Sequence, residues 1–263
     1  MNNPTAPLSH RAPRCQGFTL VELLVSILLA VFLLGGVMTI VQDTRRASGS
    51  QTQSTQLQDS VRLAMTVLTD VIQTAGYYSD PLFSTPNASL PGAGVFAAGQ
   101  SVSGTGAFNA ASPGDTISVR FQTASGDGIL NCGGTSNTSG ANQVFVNAFS
   151  IDPQGDLQCV LTAGGVVAPA IVLIPAVTTA TYPLTITRLQ ILYGVQTNFA
   201  AGNQCADSYL DATQVSAKTI NGQTAWNYVV SVRITLYFSN PLGGADLPFT
   251  RVIGVMNKMG VVT

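Results

Sequence analysis

An apolar run near the N-terminus constrains the fold of this 263-residue chain more than any other feature. Residues 18–41 read FTLVELLVSILLAVFLLGGVMTIV, and residues 23–41 carry no charge. At ~1.5 Å per residue, this run forms a helix of about 36 Å, which is long enough to cross a hydrocarbon core of ~30 Å. We therefore expect one membrane-embedded helix, and a single span excludes a polytopic transporter.

Two ordinary interpretations of the run fit it less well. A secretory signal peptide has an apolar region of ~7–15 residues and then an A-x-A-like site, whereas this run is longer and lacks such a site. A generic signal anchor leaves Glu22 unexplained. Glu22 is the one glutamate among 12 acidic residues, and a carboxylate at the centre of a membrane helix costs of order 3 kcal/mol. No Lys or Arg in the run can pair with it, so its partner must come from another chain, a chain terminus or the interface.

The junction QGFTLVELLVSILLAVFLLGG resembles the class III signal of type IV prepilins and type II secretion pseudopilins. In that pattern a glycine precedes the cleaved bond, an aromatic residue follows it, and a glutamate stands fifth in the mature chain; the matching residues are Gly17, Phe18 and Glu22. The resemblance implies that a prepilin peptidase cleaves between Gly17 and Phe18 on the cytoplasmic side and methylates the new amine of Phe18. It also implies that Glu22 meets the terminal amine of a neighbouring subunit. Arg11 and Arg14 are consistent with a cytoplasmic leader.

The helix is expected to continue beyond the membrane. Between residues 43 and 76, apolar side chains recur at spacings of three and four residues, which is typical of one stripe of an amphipathic helix. The stripe consists of Leu57, Val61, Ala64, Met65, Leu68, Val71, Ile72 and Ala75. Gly76 is a candidate C-cap, and the Ser/Gly/Gln-rich residues 48–56 favour a soft segment. Residues 77–114 lack periodicity and predict loops with at most short strands.

From Asp115 onward the pattern predicts strands, because apolar and polar residues alternate. The predicted strands are 115–123, 143–151, 156–162, 170–177, 185–195, 226–239 and 249–259. Asn221-Gly222 indicates a tight turn. One amphipathic helix followed by antiparallel strands predicts an α+β fold in which the sheet covers the helix stripe.

The strand region resembles the minor type IV pilins of the PilW class. Their C-terminal halves carry a similar L-x-x-x-Y-G-V and then W-x-x-V-x-x-V-R-x-x-L arrangement. The matching positions are Leu189, Tyr193, Gly194, Val195, Trp226, Val229, Val232, Arg233 and Leu236. We expect Trp226 to be a packing anchor, and Arg233 to lie at the sheet edge or to pair with an Asp. The loop 196–206 departs from the Asp-rich loop often found there, so a calcium site is not expected: Asp207 and Asp211 alone are too few for a Ca²⁺ shell.

Cys132, Cys159 and Cys205 remain after Cys15 is assigned to the leader, and they allow three pairings. Oxidising compartments permit disulfides. We favour Cys132–Cys159, because this pair closes a Gly/Asn/Ser-rich loop and because the resembling family often has cysteines flanking the region. Cys205 is then a free thiol or a cross-subunit partner. No spacing indicates zinc, and neither a metal nor a cofactor is expected.

Composition argues against catalysis and against strong nucleic-acid binding. Charged residues make up 9% of the chain, compared with ~25% in a typical domain, and no basic cluster provides a footprint for duplex DNA. The only histidine, His10, lies in the leader, so Ser-His-Asp and Cys-His mechanisms are unavailable to the cleaved chain. The four aspartates Asp115, Asp127, Asp152 and Asp156 form no pair by spacing.

The resulting organisation has five parts: a cleaved cytoplasmic leader (1–17), a membrane or filament-core helix (18–42), its amphipathic continuation (43–76), an irregular connection (77–114) and a periplasmic β-sheet head (115–263). The resemblance implies a minor pilin in the bacterial inner membrane, and in the pilus after assembly. Its implied partners are the prepilin peptidase, other minor and major pilins, and the inner-membrane assembly platform. A minor pseudopilin of a type II secretion system and a pilus-tip adhesin are the alternatives.

Overall fold

A computed structural model describes residues 17–106, 113–178, 184–199, 205–240 and 243–258. The leader predicted over residues 1–17, with His10, Arg11, Arg14 and Cys15, lies outside the described residues except for Gly17. The chain divides into two compact units, Met1–Gln51 and Thr52–Thr263. Their elements are described separately below.

The helix α1 spans Leu20–Gln73, and its N-terminal part forms the first unit. All residues from 17 to 48 are exposed, which fits an apolar helix whose surroundings are lipid or protein. The hydroxyl groups in this part donate back to the helix backbone: Ser26 Oγ to the Glu22 carbonyl oxygen (2.7 Å) and Thr39 Oγ1 to the Gly35 carbonyl oxygen (2.8 Å). These bonds satisfy polar groups that an apolar environment would otherwise leave unpaired.

The helix α1 continues without a break through residues 48–56, the segment expected to be soft. Ser50 Oγ donates to the Ala47 carbonyl oxygen at 2.9 Å, so its hydroxyl does not compete with the helix ladder. Extending an existing helix is also much easier than nucleating a new one. Weak helix formers with strong helical segments on both sides therefore remain helical.

The C-terminal part of α1 belongs to the second unit and buries the predicted stripe. Its buried residues are Leu57, Ala64, Met65, Leu68, Val71 and Ile72. The helix ends at Gln73, and Gly76 follows with a φ of +81°. The Gly76 amide donates to the Arg120 carbonyl oxygen at 2.9 Å, so this glycine turns the chain toward the sheet, as the C-cap prediction requires.

The first sheet has six antiparallel strands. They are β1 (Val102–Thr105), β2 (Thr116–Thr123), β3 (Gln143–Ile151), β4 (Leu157–Ala163), β5 (Val166–Val167) and β6 (Ile171–Ile174). The strand order is β1-β2-β3-β4-β5, and β6 also pairs with β4. The short helix α2 (Pro86–Ser89) precedes β1.

The second sheet has four antiparallel strands. They are β7 (Ile186–Val195), β8 (Ser208–Leu210), β11 (Val229–Phe238) and β12 (Leu247–Gly254), in the order β12-β11-β7-β8. The helix α3 (Ala212–Ala217) and the two-residue strands β9 (Thr219–Ile220) and β10 (Gln223–Thr224) connect β8 to β11. Short 3₁₀ turns cover Ala225–Tyr228 and Met256–Lys258.

The α+β class and the predicted strands are confirmed, but the described part of the head contains two main sheets and the small β9–β10 sheet where one sheet was expected. Alternation reports which residues point inward, whereas strand pairing depends on partners far along the chain. The Asn221-Gly222 turn is present between β9 and β10, with positive φ at both residues (48° and 76°). The strand predicted from Trp226 begins only at Val229. One hydrophobic core joins the α1 stripe to the inward side chains of both sheets.

Candidate processing and assembly site

The helix α1 begins with a side-chain cap at the residue that follows the predicted mature N-terminus. Thr19 Oγ1 accepts from the Glu22 amide at 3.3 Å, and the Thr19 carbonyl oxygen accepts from the Leu23 amide at 3.1 Å. A threonine that caps the third following amide is a typical helix start. Glu22 therefore lies in the first turn, where the helix dipole stabilises an anion by ~0.3–1 kcal/mol.

Gly17 and Phe18 precede this cap outside regular secondary structure and are exposed. Phe18 is 77% exposed, and a Cβ placed on Gly17 would meet no atom within 4 Å. The peptide bond between them is thus open to an enzyme among the residues that the structure describes. Cleavage there would create an amine on Phe18, four residues before the Glu22 carboxylate. No cation of the described residues lies within 4.0 Å of that carboxylate.

In the described part of the chain, α1 is the one helix long and apolar enough to cross a membrane. Its apolar window is wholly unburied within the chain. An exposed apolar face of this length needs a lipid or protein environment. The processing residues therefore stand at the end of a helix whose surface is suited to a membrane or to other helices.

The residues quoted for the strand resemblance meet in the second sheet. Tyr193 is fully buried, and its ring makes an edge-to-face contact with Trp226 at 4.7 Å between centroids. Trp226 Nε1 donates to Ser216 Oγ at 3.1 Å. Gly194 lies under Ser231 and Tyr209, whose side chains occupy the space that a Cβ would need. Tyr193, Gly194 and Trp226 therefore lie in one tightly packed region, and Trp226 is the packing anchor that was expected.

Comparison with known families finds two matches. Residues 12–38 match the prokaryotic N-terminal methylation motif, and residues 175–245 match the family described as type IV pilus-assembly protein W. Both matches make the chain similar to proteins of the type IV pilus. The second match runs from the end of the first sheet through β11, so it includes the Tyr193–Trp226 contact. No curated protein and no solved structure matches the chain.

A buried carboxyl group links the two sheets of this pilin-like head. Asp115 is 4% exposed, and its Oδ2 accepts from the Ile191 amide of β7 at 2.7 Å. Its Oδ1 is buried without a hydrogen-bond partner among the described residues. Burial raises the pKa of Asp115; the Ile191 amide opposes the rise, Asp211 adds to it and Arg188 also opposes it. Its hydrogen bond to the Ile191 amide ties the start of β2 to β7.

A buried arginine, which the sequence did not reveal, organises the connection before β2. Arg120 is 1% exposed, and its guanidinium carbon lies over the ring of Phe96, 4.7 Å from the ring centroid. Its guanidinium donates to four backbone carbonyl oxygens: Gln100 (2.6 Å), Pro91 (2.6 Å), Ala97 (2.6 Å) and Leu90 (3.1 Å). Burial lowers its pKa to about 10, so the group stays charged at neutral pH. One side chain thus fixes a segment that has little regular structure.

Three other aspartates accept hydrogen bonds from backbone amides, Asp127 and Asp152 within their own turns and Asp156 from a residue farther along the chain. Asp127 accepts from the Ala124 and Ile129 amides, Asp152 from the Gln154 and Asp156 amides, and Asp156 from the Ala176 amide. Such carboxylates order turns. Among the described residues, no three Asp, Glu, His or Cys side chains come together to hold a metal ion.

Asp207 and Asp211 also have structural partners. Partial desolvation of Asp207 raises its pKa, but hydrogen bonds from the Thr197 side chain and the Thr197 and Asn198 amides outweigh it, and Lys218 adds to the net lowering. Asp211 caps α3: its side chain accepts from the Gln214 amide, and the Gln214 side chain accepts from the Asp211 amide. Residues 200–204 of the loop 196–206 lie outside the described residues.

Cys132 and Cys159 form a disulfide with 6.5 Å between their Cα atoms. Both are buried, and the Cys132 amide donates to the buried Asn147 Oδ1 at 2.8 Å. The bridge ties the loop before β3 to β4. Cys205 is exposed and is not part of this bridge.

Arg233 does not occupy the place that the sequence indicated. It lies on β11, an interior strand of the second sheet, and its guanidinium carbon stands 5.0 Å from the centroid of Tyr209. No carboxylate of the described residues lies within 4.0 Å of it. The expectation of an edge position or an Asp partner was therefore wrong, because an aromatic face supplies the contact instead.

Proposed function

We propose that this protein is a minor type IV pilin that is held in the inner membrane by residues 18–42 until it enters a filament. The observation that carries the proposal is the arrangement at the start of α1. An accessible Gly17–Phe18 bond precedes a capped apolar helix, and Glu22 lies in its first turn without a partner of its own. The methylated Phe18 amine of a cleaved neighbouring subunit is the cation that would form an ion pair with this carboxylate.

The head supports a place outside the cytoplasm. A buried disulfide is typical of proteins that fold in an oxidising compartment. The match to type IV pilus-assembly protein W favours pilus assembly over secretion. The partners that follow are the prepilin peptidase, other minor and major pilins, and the inner-membrane assembly platform. The head contributes packing surfaces rather than catalysis.

Cleavage is tested by replacing Gly17 with a bulky residue and following the size of the protein. We expect the precursor to accumulate, because the side chain would obstruct the peptidase at the scissile bond. The conservative control is Gly17→Ala. If the Gly17→Leu variant still gives a species shortened by the 17-residue leader, the processing assignment is wrong.

Assembly is tested with Glu22→Ala and Glu22→Asp. We expect Glu22→Ala to be cleaved normally and lost from sheared filaments, while Glu22→Asp keeps part of its incorporation because the charge remains. Wild-type incorporation of Glu22→Ala would remove the pairing that we assign to Glu22. A clean deletion scored for surface pili, twitching and secretion together separates a pilus subunit from a secretion pseudopilin.

A further inference from the structure

The outward face of the second sheet carries arginine and tyrosine side chains in place of the usual mixed charges. The register pairs Arg188 with Tyr237, and Arg233 lies two layers away on the same face of β11, with Thr235 between them. Each guanidinium covers a tyrosine ring: Arg188 over Tyr237 at 4.0 Å and Arg233 over Tyr209 at 5.0 Å. No Asp or Glu stands at an outward position of the four described strands. The outward strand positions are therefore positive, and Arg233 has no carboxylate within 4.0 Å among the described residues.

A small cleft of about 170 Å³ opens on this face. It is lined by Gln190, Leu192, Arg233, Thr235 and Thr250. A water molecule takes up ~30 Å³ of liquid, so the cleft has room for roughly five or six atoms of that size. A glutamate side chain has five non-hydrogen atoms beyond its Cα, whereas a sugar ring with a carboxylate has about twice as many. The volume thus suits one acidic side chain.

The cleft retains hydrogen-bond donors without an acceptor, although the threonine hydroxyl oxygens can also accept. Gln190 Oε1 accepts from the Tyr237 hydroxyl at 3.2 Å, while its Nε2 is buried and has no acceptor among the described residues. Thr235 and Thr250 share one hydroxyl hydrogen bond of 2.9 Å, so one of their two hydrogens is left to donate. Arg233 adds the in-plane N–H groups of a guanidinium held by stacking on Tyr209. A ligand that only accepts hydrogen bonds, such as a carboxylate, satisfies this set.

We propose that this cleft, centred on Arg233, receives the carboxylate of a Glu or Asp side chain from a neighbouring protein subunit. The proposal rests on the filament function above, since that function supplies a neighbour. It goes beyond the contact at Glu22, because it places a second intersubunit ion pair on the head. Arg233 is the binding residue, Tyr209 orients its guanidinium, and Gln190 and the two threonines supply the remaining donors.

Direct binding is tested on the full chain in detergent micelles with ¹⁵N-labelled arginine. Glutarate is the probe, and neutral glutaramide of the same shape is the control. We expect glutarate to shift the ε N–H signal of Arg233, which Arg233→Lys identifies by its disappearance, and glutaramide to leave it in place. Thr250→Val should weaken the response, and the fluorescence of buried Trp226 checks that each variant is folded. If glutarate does not shift the ε N–H signal of Arg233, the proposed binding site is wrong.

The source of the carboxylate is tested in cells. Arg233→Glu should lower incorporation into sheared filaments by roughly tenfold or more relative to wild type, with normal amounts of cleaved protein. The matched charge reversal Arg62→Glu, at an exposed residue of α1, should incorporate normally. An Asp→Arg or Glu→Arg change in another pilin that restores only Arg233→Glu would identify the partner.

Two results would overturn the protein partner specifically. One is wild-type incorporation of Arg233→Glu. The other is tighter binding of galacturonate than of glutarate, which would assign the cleft to an acidic saccharide. Failure of the proposed filament function gives a different result. In that case the Arg233 signal still responds to glutarate, but the wild-type protein is absent from filaments.

Discussion

Loss of the Cys132–Cys159 disulfide should destabilise the head by an amount that the structure allows to be calculated. The perturbation is the double variant Cys132→Ala with Cys159→Ala. The bridge spans a sequence separation of 27 residues, and the enclosed loop is rich in Gly, Asn and Ser. Cys159 lies on β4 and is fully buried, so its partner ties a weakly ordered loop to the core.

The magnitude follows from the loop-closure entropy of the unfolded chain. For a loop of this length, the chain-entropy relation gives about 12 cal/mol/K, or about 3.5 kcal/mol at 25 °C. Alanine also removes two buried sulfur atoms, so the loss should not be smaller. In a domain of this size, 1 kcal/mol shifts Tm by ~2–4 °C. We therefore expect a fall in Tm of about 7–14 °C.

The chain has a built-in reporter for this measurement. Trp226 is the only tryptophan, and it is buried in the head against Tyr193. Thermal and urea unfolding of the full chain in detergent can thus be followed by its fluorescence. The matched control is Cys205→Ser at the exposed cysteine, for which we expect a change within ~0.5 kcal/mol.

An unfolding free energy unchanged by the double variant would refute the reasoning. Such a result would mean that the loop is ordered without the bridge. Its asparagines could do this: Asn137 Nδ2 donates to the Thr123 and Ala141 carbonyl oxygens, and Asn131 Oδ1 accepts from the Gly133 amide. Loop-closure entropy would then be the wrong account, since the unfolded chain would already be restricted.

Three further variants test the packing of the head. The pKa of Asp115 is raised in the folded chain, so its contribution to stability is full below pH ~3.8 and is lost as pH rises through the folded-state pKa. Asp115→Asn should therefore gain stability relative to wild type between pH 4 and 8. Urea midpoints of the two proteins that change in parallel with pH would contradict this. Arg120→Met should lose ~3–5 kcal/mol, because four carbonyl oxygens lose their donor, and limited proteolysis should then cut between residues 80 and 100; an uncut segment would refute the organising role. Gly194→Ala should cost ~1–3 kcal/mol through overpacking against Ser231 and Tyr209, measured as a lower Tm, and an unchanged Tm would mean that these side chains move aside freely.

The processing residues could be predicted because their information is contiguous in the sequence. Gly17, Phe18 and Glu22 lie within six residues, and the apolar run that follows needs no tertiary partner to be recognised. The strands were predictable for a similar reason, since alternation is a local property. The division into two sheets was not, because it depends on which strands pair, and pairing connects residues as distant as Gly114 and Leu189.

Arg120 shows why the rest could not be predicted. In TISVRFQT, alternation places Arg120 on the polar face with Ser118 and Gln122, which indicates solvent. Its burial depends on residues 90–100, which have no periodicity and so gave no sign that they cover β2. The carbonyl oxygens that bind Arg120 carry no side-chain signature at all. The prediction for Arg233 was wrong for the same reason, because its aromatic partner Tyr209 lies on the three-residue strand β8.

The scarcity of charge acquires a physical meaning in the folded chain. Most charged groups of the head that are buried or placed in turns are satisfied by the backbone: Arg120 by carbonyl oxygens, and Asp115 and Asp127 by amides. The side chains of Glu22 and Arg233 differ, because among the described residues they have neither a backbone hydrogen-bond partner nor an opposite charge within 4.0 Å. With 9% charged residues, few competing groups could capture a partner's ion at the wrong place. A charge-poor chain can therefore use two unpaired charges to set the register and orientation of a neighbour, and raising the salt concentration should weaken the exposed Arg233 contact more than the Glu22 contact within an apolar filament core.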